Sequence, residues 1–472
     1  MTSCSITNLF HGVLCLLLLV SSGCTSSPFD LKLPEPRPLL RDLPRYEAST
    51  EPSSAGSEKH TGPLVSGDLS LRDALAAALL HHPHLHATAW GPRIEEANRL
   101  QASLLPNPEA EVEFENFAGS GELNGSDALE TTLVLSQLVE LGGKREARVR
   151  VAEEAWRISA LDFEAARLAV LTETAARYVR VLELQHRVEI AERARDLADE
   201  SRRVIDRRVQ AGDVSPIDEI KARLESESAR IAADRLKREL DAARRDLSAM
   251  WNQDEPEFTS LLGSLDKLGL EPSISGLAAQ VDAHPEVQRW AAEAGRLEAV
   301  VELERAQGVP DVTAGLGVRY VNEVDDAALV AGVSVPLPLF DRNQAGILVA
   351  RLRAAQALDE GRAARRELAT RLNREYARLS AAYYEAQAIT DVLLPASRDA
   401  YNATRRAYEE GKVAYLSVLD AQRTLFDTEA QQLEALAEYH TALVQVEGLA
   451  ATPLDPLSLE SPLSSPTPGD QP

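Results

Sequence analysis

Residues 108 to 117 read PEAEVEFENF. Side chains of an extended chain alternate between faces, so Glu109, Glu111, Glu113 and Glu115 share one side, and Ala110, Val112 and Phe114 share the other. Three more stretches have a similar length and pattern: LETTLVLSQL (129 to 138), DVTAGLGVRYV (311 to 321) and ALVAGVSVPLP (328 to 338). About ten residues is the span of a tilted transmembrane β-strand, one face toward lipid and the other toward water. From the strands alone, two hairpins half-buried on soluble domains fit equally well. Context decides between them.

The chain begins MTSCSITNLFHGVLCLLLLVSSGC, an apolar run from Val13 to Val20 followed by small residues and Cys24. The run is too short to span a bilayer as a helix and reads as an export signal over 1–23. Ser21-Ser22-Gly23-Cys24 resembles a bacterial lipobox, which predicts lipidation of Cys24, although no Lys or Arg precedes the run and Ser21 replaces the usual Leu. Cleavage removes Cys4 and Cys15 and leaves one acylated cysteine, so disulfides and thiolate metal sites are excluded. No later stretch is long and apolar enough for a transmembrane helix. Four strands on an exported chain cannot close a barrel, because the smallest have roughly eight, and lipid does not tolerate an open edge. Three chains would supply twelve.

An internal repeat sets the organisation. His82-Pro83 returns as His284-Pro285, and Leu105-Pro106-Asn107 as Val309-Pro310-Asp311. SQLVELGGKR (136 to 145) matches VPLPLFDRNQ (335 to 344), and AGDVSPIDEIKAR (211 to 223) matches EGKVAYLSVLDAQ (410 to 422). The offsets fall between 199 and 204 residues, far longer than a solenoid repeat, so one fold is built from two similar halves. The predicted organisation is a signal peptide (1–23), a lipid-anchored Pro/Ser-rich tether (24–68), a first repeat (69–255), a linker (256–272), a second repeat (273–451) and a disordered tail (452–472).

Each half places an amphipathic helical segment (84 to 104; 285 to 308) before its strand pair and a very long helical run after it (144 to 211; 343 to 410), 68 residues in both cases. Each run extends roughly 100 Å as a helix. The first lacks Gly and Pro; the second contains Gly346, Gly361 and Pro395, where a bend is expected. Gly212 and Gly411 then reverse the chain into shorter helices (216 to 250; 415 to 450). Two short helices stacked end to end match one long one, giving a rod of antiparallel helices.

Composition agrees. Aromatics make up 5% of the chain, while Ala, Leu, Arg and Glu dominate its long stretches, which suits long helices better than a globular enzyme. The net charge of -24 disfavours nucleic acid and favours cationic or neutral cargo.

Residues 69 to 450 resemble the TolC family of outer-membrane efflux proteins. LPNPEAEVEFENFAGSGE (105 to 122) and ETTLVLSQLVELGGKR (130 to 145) are particularly similar to its heavy-metal branch. The resemblance implies a mainly α fold with a transmembrane β part: a homotrimer with a twelve-stranded barrel, four strands per chain, continued by a periplasmic α-helical tunnel. It implies a channel exporting metal cations with an adaptor and an inner-membrane resistance-nodulation-division pump, from a lipid-anchored position in a Gram-negative outer membrane. It implies no enzyme activity, cofactor or resident metal. A channel for drugs or type I protein secretion is the alternative; a periplasmic coiled-coil adaptor fits less well, having one helical hairpin rather than two.

By the same resemblance, the tip turns Gly212, Asp213, Val214 and Gly411, Lys412, Val413 are where adaptors dock. Asp420 in VLDAQ is the pore-constriction residue, with Asp218 as its first-repeat candidate, and Ser417 stands where relatives often carry a second Asp. An Asp near a helix start is also favoured simply by the helix dipole. If Glu109, Glu111, Glu113 and Glu115 face the barrel lumen, they favour cations; otherwise some sit at the aqueous rim.

ALLHHPHLH (78 to 86) carries His81, His82, His84 and His86. Relatives often read ALxxNPxL here, with His82 in the Asn place. Pro83 disfavours continuous helix at His82, so the cluster reads as a helix junction, with weak metal contact as the alternative. Gly142-Gly143 reads as a strand-to-helix turn rather than a ligand site. No HExxH, GxSxG or phosphate-cradling Gly loop is present.

Overall fold

A computed structural model describes residues 42–46, 67–117, 120–121, 128–269 and 274–452. The signal segment, Cys24, most of the tether and the tail from residue 453 lie outside the described residues.

The first repeat opens with a short strand β1 (Gly67–Leu69) and α1 (Leu71–His81), whose N-cap Ser70 accepts the Asp73 N–H at 3.2 Å. His82, in extended geometry before Pro83, ends α1 and begins α2 (Pro83–Ser103). The strand pair β2 (Glu109–Glu115) and β3 (Glu130–Val139) leads into α3 (Lys144–Gln210), one unbroken helix of 67 residues. It returns as α4 (Pro216–Ser248). Between the repeats, β4 (Phe258–Leu261) pairs in parallel with β1. The second repeat runs α5 (Ile274–Ala278), α6 (Pro285–Gln307), β5 (Val312–Val321), β6 (Asp326–Ser334), α7 (Gln344–Ala388), α8 (Leu394–Glu409) and α9 (Tyr415–Ala450).

Two expectations change. The fourth strand lies at Asp326–Ser334 rather than 328 to 338, because Pro336 and Pro338 have no N–H to give to a ladder and Asp325 at φ +50° tightens the hairpin before it. The second long run is unbroken helix through Gly346 and Gly361, both inside α7. Its irregularity is a π-turn at Ile389–Leu393, where Leu394 N–H reaches back to the Ile389 carbonyl. That extra residue per turn makes room for Pro395, which has no N–H and whose ring crowds the preceding turn.

The stacking follows the lengths. Both α2 and α4 pack along α3, α6 and α9 pack along α7, and α3 also contacts α6 and α9, joining the repeats. The main core lies midway along α3. There the fully buried Tyr178 donates to the Leu69 carbonyl at 2.8 Å, with the Leu262 carbonyl as alternative acceptor. Gln185 accepts the Leu261 N–H at 2.8 Å, and buried His440 and Tyr439 of α9 hold Leu265 O and Gly269 N, each at 3.0 Å. The segment between the repeats is thus fastened to both. No helix among the described residues is long and apolar enough to cross a membrane.

Candidate functional site

The four longer strands form one antiparallel sheet in the order β2-β3-β5-β6. Its register places Glu109, Glu111, Glu113 and Glu115 on one face, with Thr132 and Arg319 beside them on β3 and β5. The other face carries Val112, Phe114, Leu133, Leu135, Leu316, Leu329 and Val333. Among the described residues nothing covers it, since Phe114 is 58% and Leu329 81% exposed. Among the described residues one face is therefore bare and apolar, the other acidic, and both outer strands have a free edge.

Arg319 is the one Lys or Arg in these four strands. Glu115 and Glu130 stand directly opposite each other across β2 and β3, an arrangement that repels. The Arg319 guanidinium relieves it, lying 3.4 Å from Glu115 and 3.1 Å from Glu130 while donating to Thr132 Oγ1 at 3.1 Å. Sequence reading missed this group; its signal was the lone cation in otherwise acidic strands.

Where β3 gives way to α3, Gly142 and Gly143 have φ of +72° and +74°, and a Cβ on Gly142 would stand 2.8 Å from Val309 Cβ. The same left-handed N-cap is filled in the second repeat by Asn343 at φ +59°. Asp311, immediately before β5, accepts the Leu141 N–H at 2.9 Å and pairs with Lys144 at 2.7 Å. Burial opposes its charge, but Lys144 and the Leu141 N–H hold its carboxyl below the usual range. Arg148 grips Glu140 through both oxygens and lowers it likewise.

The two tip turns have one geometry. Gly212 N–H bonds Val209 O (3.0 Å) and Asp213 N–H bonds Arg208 O (2.9 Å); Gly411 and Lys412 do the same to Tyr408 O (2.9 Å) and Ala407 O (2.8 Å). These paired bonds end a helix on a left-handed residue, here glycine at φ +83° and +71°. Val214 and Val413 follow, and Ser215 caps α4 through the Ile217 N–H at 3.2 Å. The sequence did not reveal that Arg208 ties the hairpins together: it donates to the Tyr408 hydroxyl and lies 5.4 Å from that ring's centre.

Just behind the tips, a groove of about 760 Å³ separates α4 from α9. Leu224 and Lys221 line one wall, Leu416 and Asp420 the other. Asp420 is exposed, and among the described residues its carboxylate has no ion-pair partner. It lies beyond the first turn of α9, where the helix dipole has faded. Asp218 sits in the first turn of α4, where that dipole accounts for it, and does not line the groove.

The histidines divide. His82 is the helix junction, and burial lowers its pKa. His86 stacks on Tyr46 with ring centres 3.8 Å apart, and His284 caps α6 by accepting the Glu286 N–H at 3.2 Å. Among the described residues, no group of three His, Cys, Asp or Glu is placed to hold a metal ion.

Known proteins share this architecture. A 419-residue stretch is 33% identical to the cobalt-zinc-cadmium resistance protein CzcC of Cupriavidus metallidurans, covering 87% of this chain and 99% of that one. The nickel and cobalt resistance protein CnrC of the same organism is 29% identical over 289 residues, 61% of this chain and 67% of its own. The crystal structure of a membrane protein from Pseudomonas aeruginosa superposes with a TM-score of 0.70 at 20% identity, covering 80% of this chain and 92% of that one. CusC does so with 0.67 at 18% identity, covering 87% and 99%. These likenesses establish the fold as a TolC-like helical tunnel with a β-barrel part, of which one chain supplies an open sheet. The outer membrane efflux protein profile matches residues 74–253 and 280–452, so the chain belongs to the outer membrane efflux protein family.

Proposed function

We propose that this protein is the outer-membrane duct of a tripartite system that exports heavy-metal cations, acting as a passive conduit without catalysis. The observation that carries the reading is the four-stranded sheet with two free edges and one uncovered apolar face. Lipid covers such a face only when further copies close the edges, and three chains give twelve strands. Within that assembly the glutamate face lines the lumen, with Arg319 tempering its charge. Acylated Cys24 adds a second hold on the membrane, one that a barrel does not need. The hairpin turns lie farthest from the membrane and meet the periplasmic adaptor and, through it, an inner-membrane resistance-nodulation-division pump. Exposed Asp420, brought together around a three-fold axis, forms a ring of carboxylates that repel one another and attract cations, a resting gate for metal.

The metal class rests on the resistance proteins named above. Deleting this chain from its host and measuring growth and intracellular metal under cobalt, zinc, cadmium or nickel tests it. Metal accumulation is expected to rise and to be reversed by complementation. Unchanged tolerance to all four, together with new sensitivity to organic drugs, defeats the metal reading. A monomer in mild detergent defeats the duct.

A further inference from the structure

The two repeats use the same His-Pro junction differently. His82 and His284 both stand in extended geometry before a proline and serve as N-caps, of α2 and α6. An N-cap side chain lies over the second and third residues of its helix. In the second repeat this puts His284 Nδ1 on the Glu286 N–H at 3.2 Å, and the Glu286 carboxylate pairs with Arg371. In the first repeat His82 makes no capping bond, and the residue in the place of Glu286 is His84. The two imidazoles meet edge to face instead, with centres 6.4 Å apart and planes at 82°. His82 Nδ1 is buried there without a hydrogen-bond partner among the described residues, an arrangement that costs stability. Glu173 and Arg177, nearby on α3, do not supply one, since they pair with each other.

We infer that His82 and His84 chelate one divalent transition-metal cation, with water in the remaining coordination positions. Neutral imidazole suits zinc, copper and nickel, whereas magnesium and calcium prefer oxygen. An ion about 2.0–2.1 Å from each ring nitrogen holds two ring centres roughly 5–6 Å apart. Rotation of exposed His84 closes the remaining gap of about 1 Å, and a turn of half-buried His82 about χ2 brings Nδ1 to the ion. Two donors are fewer than a structural site uses, and no group of three is placed for one among the described residues, so the ion exchanges with solvent. The pair lies beside the middle of α3, remote from the acidic sheet face and from the tips. Binding there does not depend on what the duct carries.

The test uses full-length protein purified in mild detergent and stripped with chelator, titrated with Zn²⁺ by calorimetry and with Cu²⁺ by electron paramagnetic resonance. One ion per chain is expected, with a copper signal split by two nitrogens. Losing a ligand costs at least the roughly tenfold that losing a ligand's outer hydrogen-bond partner costs, so His82→Gln and His84→Gln should each weaken binding by about tenfold or more. His84 is exposed, so its variant keeps the fold even where the junction variant fails to assemble. His186→Gln, whose ring pairs with Glu189 elsewhere on α3, should change nothing. The proposal falls if the parent binds no zinc, if copper shows fewer than two nitrogens, if His84→Gln binds as the parent does, or if His186→Gln weakens binding equally.

Discussion

Glycine at the tip turns separates two explanations of why these turns matter. At Gly212 and Gly411 the backbone is left-handed, yet a Cβ on either would meet nothing within 4 Å. A substitution there therefore costs backbone strain without a clash. For alanine that strain is about 1–2 kcal/mol, a factor of roughly 5–30 in the population of the native turn. For asparagine it is much smaller, and the chain already places Asn116, Asn252 and Asn343 at φ of 59°, 61° and 59°. If the turns serve only to reverse the chain, Gly212→Ala harms function more than Gly212→Asn. If a partner sits on them, the order inverts, because asparagine projects farther into the contact. We expect the inverted order at both tips, with trimers forming normally in every variant. The readout is growth inhibition by cobalt, zinc and cadmium beside assembly on a non-denaturing gel. Resistance lost in the alanine variants and kept in the asparagine ones refutes docking at the tips, and so does resistance kept in both.

Replacing Asp420 by Ala should raise resting conductance and weaken block by divalent cations in single-channel recordings; an unaltered pore places the constriction elsewhere. Arg319→Gln leaves Glu115 and Glu130 facing each other, so the barrel should unfold at a lower temperature in detergent, while the reversal potential under a tenfold salt gradient moves toward the cation limit of about 59 mV. Tyr178→Phe removes the hydroxyl from Leu69 O, which keeps the Leu262 N–H; about 1 kcal/mol, or a fivefold faster amide exchange in β1 and β4, is expected by mass spectrometry. Asp311 has its carboxyl lowered in the fold, so its contribution is present above the ordinary carboxylate range and is lost as pH falls through that range toward the folded value. Proteolysis near Leu141 should accordingly rise on acidification, and Asp311→Asn should remove that dependence.

The large plan was legible because it is written in periodicity and punctuation. Alternating glutamates marked β2, the stretch from 144 to 211 without Gly or Pro marked α3, and Gly212 and Gly411 marked the reversals. What escaped depends on neighbours that sequence does not bring together. Arg319 acquires its role only when the register sets it beside Glu115 and Glu130, 204 and 189 positions earlier in the chain. Arg208 and Tyr408 meet because the two hairpins lie side by side, 200 residues apart. The strand between the repeats was hidden for a different reason: β4 has four residues and no alternation to betray it. The histidine cluster drew attention by its composition, yet His82 marks a helix junction set by Pro83 and His86 stacks on Tyr46.

The two repeats also differ where their backbones agree. Helix α3 is buried at intervals along most of its length, whereas α7 leaves Leu348, Val349, Leu352 and Leu358 exposed. That apolar surface continues upward through Leu337, Leu339 and Phe340, the last 91% exposed, to the free edge of β6. The opposite free edge belongs to β2, in the other repeat. A two-fold dimer pairing β6 with β6 buries one edge and leaves both β2 edges bare, which lipid does not allow. Pairing β6 of one chain with β2 of the next would satisfy both edges at once. Repeated around an axis, such head-to-tail pairing would close the ring that the proposed duct requires, whereas edge-to-like-edge pairing would not.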